Sequence, residues 1–358
     1  MTEVATASID QKLTGGPVID CDLHNTVPKI DALFPYLSAY WREYCTQSAF
    51  RGPTDTAYPK GHKTTARPNS GTPPGSSLEL MQQQVLDPWN VEVGILNCTY
   101  AIESVHNPDT AANLAQAVND WQVAEWLDKD SRLRASIVVP VQQPEMAAKE
   151  IERAARDKRF VQVFMPVRSS ILYGNRHFHP IYEAAAKHDL GIVLHFGGAP
   201  GNPPTPSGWP SLYVEEYVGM GQVCESQIMN IIAEGVFDRF PTLRMTIAEC
   251  GWAWVPAWMW RMDKEWKGLR REIPWVREAP SEYMKKYMRW TLQPIDPPDI
   301  LQFLRIVEEM GSEELLLFST DWPHGQWDAP EEAMPPDLLD GLRRKVAYEN
   351  AKAFYHRL

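Results

Sequence analysis

The sequence predicts a single closed barrel of eight parallel strands, each followed by a helix: a TIM-like (β/α)8 member of the α/β class. Three observations predict it. Eight short, β-rich apolar runs recur along the chain, helical patterns stand between them, and 358 residues suit one such barrel with enlarged loops. The competing open, doubly wound sheet is set aside because no Gly-rich nucleotide fingerprint follows any of these runs.

In chain order, residues 1–16 read as a flexible polar leader and 17–358 as one domain. The first strand is expected at 18–22 (VIDCD), followed by a short helix near 29–44. The remaining strands are expected at 92–96, 134–139, 160–165, 191–195, 243–248, 288–292 and 314–319. Helices are expected at 109–128, 143–157, 179–188, 213–235, 251–266, 298–310 and 342–356. The first of these carries Ala111, Leu114, Ala115, Val118, Val123, Trp126 and Leu127, close to a 3.6-residue period. Three long loops, at about 46–77, 198–212 and 321–336, interrupt the pattern. Each comes after a barrel strand, so each is expected over the C-terminal mouth, where barrels of this kind keep their chemistry. The first loop carries Arg51, Lys60, Lys63 and Arg67, which could attract an anion.

Composition narrows the function. A formal charge of -11 argues against a nucleic-acid partner. Five scattered cysteines, odd in number and without a C-x-x-C pair, argue against a disulfide framework and for a reducing compartment. No apolar run is long enough to span a bilayer, so a cytoplasmic protein with no membrane partner is expected. Fourteen tryptophans must serve core packing, an aromatic pocket or an interface.

The chemistry collects at strand ends. The stretch VIDCDLHNTVP places Asp20, Asp22 and His24 within five positions where an apolar strand stops. Burying unpaired carboxylates is costly, so either the strand ends in water or a cation awaits them. His195 ends the fifth strand, Glu249 follows the sixth, and Asp321 and His324 follow the eighth in LLLFSTDWPH. Parallel barrel strands point one way, so these residues converge. Asp22, His24, His195 and Asp321 then form an Asp/His/His/Asp set suited to one divalent ion, Zn²⁺ first, with Mn²⁺ or Fe²⁺ as alternatives. Asp22 and His24, two apart, share one face of the strand. Arg168, just past the fourth strand, could clamp a carboxylate, and Trp252 and His324 are candidate substrate contacts. His177, His179 and His188 flank an outer-layer helix and read as surface or capping residues.

This constellation resembles the amidohydrolase-related family typified by aminocarboxymuconate-semialdehyde decarboxylase. DCDLH resembles the family's H-x-H or E-x-H after strand one, GIVLH its strand-five histidine, and FSTDWPH its strand-eight Asp motif. The run FHPIYEAAAKHDLGIVLH resembles the family's lead into that fifth strand. The resemblance spans roughly 17–356 and implies a metal-dependent enzyme that forms a homodimer or larger homo-oligomer, with the Trp-rich helix GWAWVPAWMWRMD as a candidate interface. One position departs: Glu249 stands where the family has a histidine.

Family members either decarboxylate aromatic or cyclic acids or hydrolyse C–N or C–O bonds. An ionised Glu249 facing a substrate carboxylate at 4 Å would oppose binding by about 4 kcal/mol at an effective dielectric near 20. A glutamate beside a metal-activated water would instead serve as a general base. The residues therefore favour hydrolysis of a small cyclic or aromatic compound, with Glu249 and Asp321 as the catalytic acid–base groups. The alternative is non-oxidative decarboxylation, with Arg168 orienting the acid. A non-catalytic barrel ranks third.

Overall fold

A computed structural model of the chain describes residues 11–53, 64–198 and 208–358. Most of the leader, Lys60, Lys63 and most of the 198–212 loop lie outside the described residues.

All eight expected strands form, in order and in parallel: β1 (Val18–Leu23), β2 (Val91–Leu96), β3 (Leu133–Val138), β4 (Phe160–Arg168), β5 (Gly191–Gly198), β6 (Met245–Ala248), β7 (Met288–Thr291) and β8 (Leu316–Leu317). Their residues are almost all buried, as a barrel sandwiched between its own core and an outer helix ring requires. β8 is only two residues long, and the chain just beyond it completes the closure. There the Cys21 amide donates to the Phe318 carbonyl (2.9 Å), the Asp321 amide to Asp22 (3.0 Å) and the His24 amide to Trp322 (2.8 Å). These backbone bonds of the β1–β8 seam draw the two acidic strand ends together.

The outer helices follow the expected positions, with ends shifted by a few residues: Pro108–Gln122, Pro144–Ala154, His179–Lys187, Tyr213–Ala233, Val255–Leu269 and Ile300–Met310. Asn107 and Asp299 accept from helix amides as caps, and four of these helices carry Pro in their first turn. The helix Pro280–Tyr287, which packs against β7, has too short an apolar pattern to be read from sequence. The described parts of two long loops do lie at the mouth. The Thr26 amide donates to the Gly75 carbonyl (2.9 Å), and the Trp322 indole reaches Gln84 (2.8 Å). A Cβ on Gly75, at φ +77°, would stand 2.7 Å from the His24 carbonyl oxygen, so only glycine lets this loop approach so closely.

The cysteine reading needs correction. Cys224, on the helix Tyr213–Ala233, is joined by a disulfide to Cys250, just after β6, while Cys21, Cys45 and Cys98 are free and buried. The partners are 26 residues apart in sequence and adjacent only once the helix packs across the barrel. The cysteine count therefore no longer argues for a reducing compartment. Among the described residues, no helix is long and apolar enough to cross a membrane.

Candidate active site

Six of the sequence-selected side chains meet at the C-terminal mouth, all of them buried: Asp22, His24, His195, Glu249, Asp321 and His324. The Nε2 of His24 lies 3.0 Å from Asp321 Oδ1 and 3.4 Å from Asp22 Oδ1. His195 Nε2 lies 3.3 Å from Asp22 and 3.5 Å from Glu249. His324 Nδ1 bridges Asp321 (2.8 Å) and Glu249 (3.2 Å). The rings of His195 and His324 flank His24 at 4.9 and 4.4 Å.

Two of these residues hold unusual backbones. Glu249 and Asp321 have φ of 55° and 56°, a region few non-glycine residues occupy. The strain is offset locally: the Glu249 amide donates to Thr291 Oγ1 (3.1 Å) and the Asp321 amide to the Asp22 carbonyl. Such backbones concentrate where side-chain aim matters. Here they turn both carboxylates inward at the ends of β6 and β8.

The electrostatics suit a bound cation. The Nδ1 of His24 faces the Asn97 carbonyl (2.7 Å), which can only accept, so Nδ1 carries the proton. Burial, reinforced by His324, pulls His24 down to about 4, leaving the ring neutral and its Nε2 a bare lone pair. That lone pair faces two carboxylate oxygens, an arrangement only a cation between them makes favourable. Asp22 Oδ2 and Asp321 Oδ2 are buried and have no hydrogen-bond partner among the described residues. The donor set thus fits a divalent ion. Its atoms fall into two overlapping groups, Asp22/His24/His195 and His24/Glu249/Asp321/His324, each within 4.8 Å. Burial opposes ionisation of Asp22, but His195 and His24 outweigh it and hold the carboxyl near 2. In His195, burial is outweighed by Asp22 and Glu249, which carry it to about 9. Burial and then Asp321 push Glu249 up.

Arg168 sits at the β4 end, its guanidinium 2.8 Å from Glu216 and only 5% exposed, with Nε unbonded among the described residues. It pairs in register with Gly198, whose φ is +139° and where a Cβ would stand 2.5 Å from that of Arg168. Trp252 is not brought to the cluster. Its indole N–H donates to Leu292 O (3.1 Å), its ring stacks edge-on against Phe303, and it is fully buried. The expectation of a substrate contact there gives way to core packing, because the chain turns outward immediately after Glu249. His177 and His188 lie at the outer helix as expected, His188 on Glu152.

Aromatic groups that sequence reading passed over complete the mouth. Phe164 lies 5.3 Å from the His195 ring, and Phe196 5.1 Å from Tyr217. Burial, then Glu249 and Asp321, push the Tyr213 and Tyr217 phenols up; for Tyr213, Glu216 also contributes. The helix Tyr213–Ala233 carries both tyrosines, Glu216 and Cys224. Its Gln227 donates to Val167 O (2.8 Å) beside Arg168, and its Asn230 accepts from the Gly174 amide. Asn97, at the end of β2, donates to Asp22 Oδ1 (2.7 Å). Its polar type at a strand end was the available signal.

Comparison with known proteins agrees with this architecture. Residues 19–357 match the family model described as Amidohydrolase. The chain is 24% identical over 297 residues to gamma-resorcylate decarboxylase of Polaromonas sp. strain JS666, covering 78% of this chain and 88% of the relative. It is 24% identical over 320 residues to the Rhodococcus jostii gamma-resorcylate decarboxylase, covering 81% and 94%. A crystal structure of 5-carboxyvanillate decarboxylase from Novosphingobium aromaticivorans, complexed with manganese and 4-hydroxy-3-methoxy-5-nitrobenzoic acid, superposes with a TM-score of 0.70. It is 18% identical and the match covers 98% of this chain and 99% of that one. The chain belongs to the amidohydrolase family, as its motifs suggested.

Proposed function

We propose that the chain is a divalent-metal-dependent carboxy-lyase that removes CO₂ from an aromatic carboxylic acid without oxidation. The observation that carries the metal reading is the neutral His24, whose lone pair faces Asp22 and Asp321. Decarboxylation is preferred to the hydrolysis that Glu249 first suggested because the curated relatives named above are decarboxylases across most of their length. Asp22, His24, His195 and Asp321 would hold the ion. Manganese is the first candidate, in place of zinc, because it is the metal bound in the similar structure. When bound, the ion supplies positive charge that offsets the buried carboxylates and that of the substrate.

The chain's own groups do the rest. Arg168 orients the substrate carboxylate through its unbonded Nε, and Phe164, Phe196 and Tyr217 give an aromatic ring apolar walls. The repulsion calculated for an ionised Glu249 disappears when that residue is protonated, the direction in which burial and Asp321 drive it. As the bond between ring and carboxyl carbon breaks, its electron pair stays on the ring carbon, and Glu249 delivers its proton there. CO₂ departs, and Glu249 regains a proton from solvent, with Asp321 and His324 beside it.

The test is incubation of Mn²⁺-loaded protein with 2,6-dihydroxybenzoate, 5-carboxyvanillate and related hydroxybenzoates, following CO₂ release and, in D₂O, deuterium at the vacated ring position. Release with one deuterium incorporated, abolished in Asp321→Ala, supports the reading. Turnover of ester or amide substrates with no CO₂ from any acid would restore the hydrolase.

A further inference from the structure

We propose that a one-directional hydrogen-bond chain through the barrel interior positions Asp22, and that Asn97, Ser136, Gln162, Tyr355 and Thr246 are its positioning residues. The inference rests on Asp22 being a metal ligand, the reading given above, and adds five residues that touch neither metal nor substrate.

The direction of each bond follows from counting protons. The Asn97 side-chain oxygen receives Ser136 Oγ (2.5 Å) and Gln162 Nε2 (3.3 Å), so its amide nitrogen is the end facing Asp22 Oδ1 at 2.7 Å. The Ser136 hydroxyl proton is committed to Asn97, leaving its oxygen to accept from Gln162 Nε2 at 3.0 Å. Gln162 Oε1 then accepts from the Tyr355 hydroxyl at 3.1 Å. That phenol has only one proton, so Thr246 Oγ1, 2.7 Å away, must donate to it. Every link, from Thr246 to Asn97, donates towards the Asp22 carboxylate.

The links come from different parts of the fold. Ser136 is on β3, Gln162 on β4, Thr246 on β6, and Tyr355 lies just after the last helix. Asn97, Ser136 and Gln162 are fully buried, Thr246 is 1% exposed and Tyr355 5%. The interior of such a barrel is ordinarily filled by branched apolar side chains. A row of uncharged polar groups in that place stays favourable only if every member is satisfied, and chains of aligned donors polarise one another. Asn97 also fixes the neighbouring ligand, because its backbone carbonyl accepts from His24 Nδ1–H and so leaves Nε2 bare. One residue thereby sets the aim of Asp22 and the tautomer of His24. Asn97 donates to Oδ1, the same oxygen that faces His24 Nε2 (3.4 Å) and His195 Nε2 (3.3 Å), and so fixes how the whole Asp22 carboxylate is aimed at the cation position.

The alternative is a polar network that only specifies core packing. It would lower the melting temperature of the metal-free protein and leave metal affinity unchanged. The experiment is a Mn²⁺ titration of metal-stripped wild type, Ser136→Ala, Tyr355→Phe, Thr246→Val and Thr246→Ser, with free Mn²⁺ read by electron paramagnetic resonance. Melting temperatures of the metal-free proteins are recorded alongside. Ser136→Ala is expected to weaken binding by about 10- to 100-fold, as loss of an outer-shell partner generally does. The more distant deletions are expected to cost less, roughly 3- to 10-fold for Tyr355→Phe, since each acts through intervening bonds. Thr246→Ser, which keeps the donor, is expected to bind as wild type does, while Thr246→Val does not. Tyr355→Phe and Thr246→Val are near-isosteric, so they carry the test if Ser136→Ala fails to fold. Wild-type binding with all variants within about twofold overturns the chain's role and leaves the metal reading standing. A wild type that takes up neither Mn²⁺ nor Zn²⁺ overturns both.

Discussion

Replacing Asp20 by asparagine should change how stability depends on pH. Asp20 lies on β1, two residues before Asp22, and is completely buried. Its Oδ1 accepts from the Asp22 amide (3.1 Å) and the Thr320 amide (3.2 Å), and its Oδ2 from the Thr320 hydroxyl (2.6 Å). Burial nevertheless outweighs these bonds and pushes the carboxyl up to about 7. An unfolded aspartate titrates near 3.9, so between these values the folded chain holds a proton that the unfolded chain has released. The stability contributed by this proton is fully present below about pH 4 and lost as pH rises through about 7. A gap of roughly 3 pH units corresponds to about 4 kcal/mol, of which about 2–3 kcal/mol falls between pH 5 and pH 8. An asparagine side chain in this place cannot titrate, keeps the two amide contacts, and can turn its NH₂ towards the Thr320 oxygen. Urea unfolding of chelator-treated wild type and Asp20→Asn at pH 5, 6, 7 and 8 measures the difference directly. The variant should gain on wild type by about 2–3 kcal/mol across that range. Parallel pH profiles for the two proteins would refute the argument.

Two further outcomes follow from the geometry. Trp252→Ala should destabilise the fold by about 3–5 kcal/mol, the usual cost of removing a buried Trp, while leaving KM for an aromatic acid unchanged in folded protein; a raised KM at full stability would return Trp252 to the substrate. Arg168→Lys should raise KM for an aromatic acid by about 10- to 100-fold, because lysine loses the planar fork that bonds a carboxylate; an unaltered KM would remove Arg168 from the substrate.

The barrel was legible because its signal is local and repeated. Each of β1 to β8 is an apolar run short enough to be a strand, and parallel topology turns strand ends into a single place. For that reason Asp22, His24, His195, Glu249, Asp321 and His324 could be gathered from residues up to 302 positions apart, the separation of Asp22 and His324. What escaped depends on direction rather than position. Nothing in GWAWV says that Trp252 turns away from the mouth while Glu249, three residues earlier, turns in at a positive φ. The pairing of Cys224 with Cys250 depends on where a helix crosses the barrel, which no spacing encodes. The sequence reading of hydrolysis rested on an ionised Glu249, whereas burial and then Asp321, both properties of the folded state, push that carboxyl up.

The helix Tyr213–Ala233 divides its labour along its length. Tyr213, Glu216 and Tyr217, in its first two turns, face the mouth and Arg168, while Cys224, Gln227 and Asn230, further on, fasten the same rod to the chain after β6, to β4 and to the chain after β4. The leading residues can therefore be exchanged, and with them the shape and charge of the mouth, without loosening the contacts that hold the helix against the strand ends. The shape of the mouth and the hold on the scaffold thus reside on one element but at separate positions, and that separation makes this helix the natural place to reshape the mouth.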